Sequence, residues 1–217
     1  MELKLQSFRI SLVLNSVFFP LTSKEVFDSL KAREFDIGRP PAPFPTGPRA
    51  YVSGTLARKR NVLIHMESDR NLVGAEGDSI ENTVEIFSEV MDMLTEDFFV
   101  NLDEELSYVE LIAHYFIKSD GNPFEVIQNS VELKFKDEFQ EILKTPTSNH
   151  SLSIVPKEVL PSGRNWFEIT ITPKLTMPTK AYWTEVVFRD ENPNTVTAFA
   201  RNLNSTVSSI INTIEGA

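Results

Sequence analysis

Residues 17–30 read "VFFPLTSKEVFDSL" and residues 117–130 read "IKSDGNPFEVIQNS". The two stretches agree in chemistry as well as spacing. In the first, Thr22 is placed to cap a helix, Glu25 follows in capping-box position, and Val26, Phe27 and Leu30 share one helical face. In the second, Asn122 takes the cap position and Pro123 the first helical position, where its missing N–H costs nothing. Glu125 repeats Glu25, and Val126 and Ile127 repeat Val26 and Phe27. Each helix follows an apolar segment of strand character, "SFRISLVLNSVFF" (7–19) and "LSYVELIAHYFI" (106–117). A strand, a turn and a short helix are therefore written twice.

The ends of the two halves correspond as well. In residues 78–94, Ile80, Val84, Phe87, Met91 and Leu94 fall on one stripe, with Asp78 or Ser79 as the starting cap. In residues 192–214, Val196, Phe199, Leu203, Val207, Ile210 and Ile214 do the same after an Asn192-Pro193 start. Strand-like runs lie between: 50–57, 61–67 and 71–76 in the first half, 151–157, 165–173 and 180–188 in the second. The expectation is an α+β fold of duplicated β-α-β-β-β-α halves, 1–101 and 102–217. Its sheet is mainly antiparallel, and two long helices (79–97 and 194–214) cover one face. The first half carries a proline-rich arm at 38–49, and the second an extra helix near 131–144.

This element order resembles that of the TATA-binding-protein-like fold, over most of the chain. In its DNA-binding role that fold presents a basic, apolar sheet surface. Here the formal net charge is −10, which opposes phosphate binding, so no nucleic-acid partner is expected.

The charge is unevenly laid out. Residues 1–65 carry a net +5, residues 66–145 a net −15, and the remainder is neutral. Such segregation suits a directed contact between proteins. The basic end holds two unusual stretches. "IGRPPAPFPTGPRAYV" (37–52) sets Arg39, Phe44 and Arg49 among prolines, which favour a stiff, extended arm. "LARKRN" (56–61) separates two strands and places Arg58, Lys59 and Arg60 at a hairpin tip, pointing to solvent. These six residues are the candidate partner-binding set.

The chain has no cysteine, which removes disulfides, thiolate catalysis and cysteine-bearing metal clusters. No glycine-rich phosphate loop, nucleophile elbow or HExxH pattern occurs. Histidines 65, 114 and 150 are far apart, and only His65 with Glu67 shares a strand face. His114, alternating with Ile112 and Phe116, reads as a histidine that needs one hydrogen-bond partner. The carboxylates of "TEDFF" (95–99) and "LDEELS" (102–107) read as hydrated. Most of the 16 phenylalanines belong in a core, with Phe18, Phe19, Phe98 and Phe99 packing near element ends.

No run is long enough to span a membrane, and "ISLVLNSVFF" lacks a signal-peptide cleavage site, so a cytoplasmic protein is expected. The leading expectation is a non-catalytic interaction or assembly protein, a homodimer or a subunit of a larger complex, without metal or cofactor. The alternatives are a small-molecule binder with a Phe-lined cavity between sheet and long helices, and an enzyme using His65 and Glu67.

Overall fold

A computed structural model describes residues 1–15, 22–38, 44–46, 49–51, 53–130 and 135–216, with backbone alone at 44–46 and 49–51. The first half runs β1 (Glu2–Leu14), α1 (Lys24–Ala32), β2 (Asp36–Ile37), β3 (Phe44–Thr46), β4 (Arg49–Tyr51), β5 (Ser53–Lys59), β6 (Val62–Glu67) and β7 (Leu72–Gly77). Then α2 (Ile80–Asp92) passes directly into a π-helical turn (Met93–Asp97), followed by α3 (Leu102–Glu105). The second half runs β8 (Leu106–Lys118), α4 (Pro123–Ser130), α5 (Lys136–Leu143), β9 (Leu152–Ile154), β10 (Trp166–Pro173), β11 (Ala181–Asp190), α6 (Pro193–Arg201) and α7 (Leu203–Glu215).

The fold is α+β. Among the described residues, seven α-helices accompany a nine-stranded antiparallel sheet of order β2-β5-β6-β7-β1-β8-β11-β10-β9. Its centre is the pairing of β1 with β8, two 13-residue strands from opposite halves of the chain. The register sets Ile10 against Leu111 and Leu12 against Val109, so both strands send the same alternation to one face. That face meets Val84, Phe87 and Val90 of α2, Val196 and Ala200 of α6, and Val207 and Ile211 of α7. Val26 of α1 and Ile127 of α4 join the same cluster, so one core draws on both halves. Each large side chain buried there contributes roughly 1.5–3 kcal/mol.

Several local expectations need correction. β1 starts at Glu2, because Glu2, Lys4 and Gln6 alternate with Leu3 and Leu5 and extend the period-two pattern. Ser23, not Thr22, caps α1, its hydroxyl accepting from the Val26 N–H at 3.4 Å. Asn122 precedes Pro123 as read, but its Oδ1 is buried without a partner, so its side chain is not the cap of α4. The long helix read at 194–214 is two helices broken at Asn202. There the side-chain amide donates to the Ala198 carbonyl at 2.9 Å, competing with the backbone ladder. The extra helix is confined to α5, and residues 131–134 lie outside the described residues. In the proline-rich arm, β3 pairs antiparallel with β4, so its described residues are paired strands in place of a lone polyproline extension. Phe44 and Tyr51 favour strands, and Gly47-Pro48 is turn-forming in composition.

Gly74 of β7 shows how tightly the central strands approach. A Cβ there would fall 2.2 Å from Ser11 Oγ and 2.6 Å from the Ile10 carbonyl oxygen. Gly74→Ala is therefore expected to cost about 1–3 kcal/mol, the range for overpacking, in equilibrium denaturation. An unchanged midpoint would mean that β1 and β7 can separate at this point.

Candidate interaction surface

The basic tip forms as read but is largely neutralised within the chain. Arg60 and Asn61 both adopt left-handed conformations (φ 48° and 64°), which suits the two-residue turn between β5 and β6. Arg58 stays exposed and donates to Asn61 Oδ1 at 2.7 Å. Lys59 does not point to solvent. Its side chain is only 15% exposed, its Nζ lies 2.5 Å from Glu89 and 2.9 Å from the Arg33 carbonyl, and it sits over the Phe35 ring. Arg60 pairs with Glu85 at 2.8 Å across an exposed gap. The +5 segment thus closes partly on its own α2. Phe44 and Arg49 lie in β3 and β4, with their side chains outside the described residues, as is the whole of Arg39.

On the sheet face away from the helices, three strands and the β6–β7 turn converge on one buried carboxylate. Glu110 of β8, 2% exposed, accepts from Arg70 at 2.9 Å and from Arg189 of β11 at 2.8 Å, with Arg9 of β1 at 3.9 Å. Arg189 also lies near the rings of Tyr108 and Trp166. Burial alone would raise the Glu110 carboxyl, but the Arg70 and Arg189 guanidiniums outweigh it and hold it below the ordinary carboxylate range. His65 and Glu67 do share this face, yet they serve different partners. Glu67 spans Arg9 and Arg70, each at 3.4 Å, while His65 Nε2 lies 3.4 Å from Ser11 Oγ and its Nδ1 is buried without a partner.

Burial, then the charges of Arg9 and Arg70, push the His65 imidazole down to about 4 from its ordinary 6.5. Below pH 6.5 the unfolded chain takes up a proton at His65 that the folded chain refuses until about pH 4. Stability is therefore expected to fall as pH drops through that window, and His65→Gln should flatten the slope in urea unfolding. The Glu110 contribution has the same sign but is lost only as pH falls below the ordinary carboxylate value, so the two are separable. A slope unchanged in His65→Gln would contradict the assignment.

The other sequence candidates have ordinary partners. Glu96 and Asp97 both pair with Arg33, at 3.1 and 2.9 Å, and Asp97 also accepts from Ser29. His114 Nδ1 shares a hydrogen bond with Ser7 Oγ at 2.9 Å, and its ring stacks on Trp183. Phe87 is wholly buried, and Phe188 stacks on Phe199 with centroids 4.1 Å apart. Phe98 packs against the core, whereas Phe99, read as packed, is exposed at a left-handed backbone position (φ 55°). Phe18 and Phe19 lie outside the described residues. Among the described residues, no group of three or more His, Asp or Glu is placed to hold a metal ion.

Three surface crevices stand out, and none of them is lined by a phenylalanine. The first, about 700 Å³, lies among the end of α2, α3 and the start of α6 and carries Asp92, Asp103, Glu104 and Glu191, the last paired with Arg164 at 3.2 Å. The second, about 450 Å³, is apolar, walled by Pro173, Leu175 and Trp183 with Lys174 and His150 at its edge. The third, about 270 Å³, lies between α4 and the end of α7.

Exposed large hydrophobic residues are concentrated around the second crevice's half of the chain. Of 13 among the described residues, ten fall in residues 124–177. The most exposed include Ile142 (72%), Leu160 (73%) and Leu175 (82%). Helix α5 buries no residue at all, although Phe135, Phe139, Ile142 and Leu143 form a stripe along it. The helical spacing of that stripe was visible in sequence; that Phe139, Ile142 and Leu143 stay exposed was not. No protein-family model matches the chain, and no curated protein matches it.

Proposed function

We propose that this chain is a non-catalytic interaction or assembly protein that binds another protein, a second copy of itself included. The carrying observation is the concentration of exposed apolar side chains in residues 124–177, on a chain whose other large hydrophobics are mostly buried. Exposed apolar side chains in such number along one segment suit a contact face. Hydrogen bonds and neighbouring cations hold the carboxyls of Glu25, Asp97, Glu110 and Asp120 low, which does not suit these four as general acids. His65 and Glu67 turn to separate partners, which gives the enzyme alternative no common target.

The fold itself is read as a duplication with TATA-binding-protein-like order. The symmetric placement of β1 and β8, each followed by a short helix and then by its own wing of the sheet, supports this. Among the described residues no helix is long and apolar enough to cross a membrane. A cytoplasmic location is part of the proposal.

The absence of cysteine supplies a direct test. Single cysteines placed at 142, 160 and 175 can be labelled selectively. Labelling in cells should be slower than in the dilute purified protein at these positions, and unchanged at position 81 on the polar side of α2. Equal rates at all four positions would sink the contact-face reading.

A further inference from the structure

Helix α5 and the apolar crevice present complementary surfaces. Phe139, Ile142 and Leu143 stand at i, i+3 and i+4, the spacing with which an amphipathic helix inserts anchors into a groove. All three are exposed. Glu138 and Glu141 flank that stripe on the Ile142 side, Asp137 lies behind it, and Lys136 borders Leu143 on the other side. The crevice has the matching composition. Its walls are Pro173, Leu175 and Trp183, and its volume of about 450 Å³ accommodates a few large side chains. Its lip carries Lys174, whose Nζ sits 4.0 Å from the Trp183 ring centroid, with Lys180 farther along the segment and Glu185 two residues beyond Trp183.

The two surfaces do not meet within one chain. The connection from α5 to β9 is tied back, Gln128 Nε2 donating to Ser148 Oγ at 2.9 Å and Thr147 Oγ1 to the Lys136 carbonyl at 3.4 Å. Held so, α5 keeps its stripe open and Leu175 remains exposed.

We infer that the occupant of the crevice is α5 of a second copy, docked reciprocally about a two-fold axis. This deepens, and rests on, the interaction reading above. A single eight-residue helix would cover on the order of half a standard interface, and the two-fold doubles it. Glu138, beside Ile142 on α5, then meets Lys174 at the lip, which favours the pairing of unlike surfaces and makes the association salt-sensitive.

The test is sedimentation equilibrium of the full chain, with Ile142→Asp on the helix and Leu175→Asp on the crevice. Both side chains are exposed, so both variants should keep the wild-type circular dichroism. Wild type should associate to twice its 24.6 kDa mass, and each variant should weaken association about tenfold or more. An equimolar mixture of the two variants should associate more tightly than either alone, since one intact helix then meets one intact crevice. A dimer untouched by either variant, or a mixture no tighter than its components, overturns the docking. A monomeric wild type overturns it too. If the cysteines at 142 and 175 are nevertheless protected in cells, that result leaves the interaction reading standing with a different protein as occupant.

Discussion

Phe87→Ala is expected to remove about 3–5 kcal/mol of stability, the range for truncating a buried phenylalanine. Phe87 has no exposed surface and stands on α2 in the cluster that joins both halves of the chain. Truncation leaves a cavity that neither the strands nor α2 can collapse to fill. Phe199→Ala should cost less, roughly 1–3 kcal/mol, because Phe199 is only partly buried and has Phe188 stacked on one face. Chemical denaturation showing less than about 1 kcal/mol for Phe87→Ala would mean that α2 does not close the core.

Removing the carboxylate at Glu110 is expected to do comparable damage by another route. Glu110→Ala strips Arg189 of its carboxylate partner and leaves Arg70 and Arg9 to share Glu67. Stripping one partner from a buried ionic group costs about 3–5 kcal/mol, most of it the stranded charge. Glu110→Gln keeps the shape and isolates the loss of charge. If Glu110→Ala unfolds within about 0.5 kcal/mol of wild type, the arginines are better hydrated than their burial implies.

The two cases differ in how far the sequence announced them. Phe87 was legible, because helical period placed it with Ile80 and Val84 and no tertiary knowledge was needed. The strands were legible for the same reason: β8, β10 and β11 fall within a residue or two of the expected bounds at 106–117, 165–173 and 180–188. The cluster at Glu110 was not. Arg9, Arg70, Glu110 and Arg189 come from distant segments, and only the registers of β1 with β7 and β8 and of β8 with β11 bring them together. Composition also misread the basic tip. Three consecutive cations look solvated in a sequence, but the β5–β6 hairpin lays Lys59 and Arg60 alongside Glu89 and Glu85 of α2. The break at Asn202 escaped because an apolar stripe continues through it, and the local competition for a backbone carbonyl has no periodic signature. For α5 the stripe was readable, but a stripe reports only that a face is apolar, not what covers it.

What covers it can be read directly. A photo-crosslinking amino acid at position 142, introduced into the full chain in living cells, captures whatever lies against α5. The account predicts an intermolecular adduct that maps to residues 172–183 of a second copy. An identical group at position 81 should give none. The absence of any intermolecular adduct from position 142, with the protein folded and abundant, would contradict the claim that this surface is built for contact.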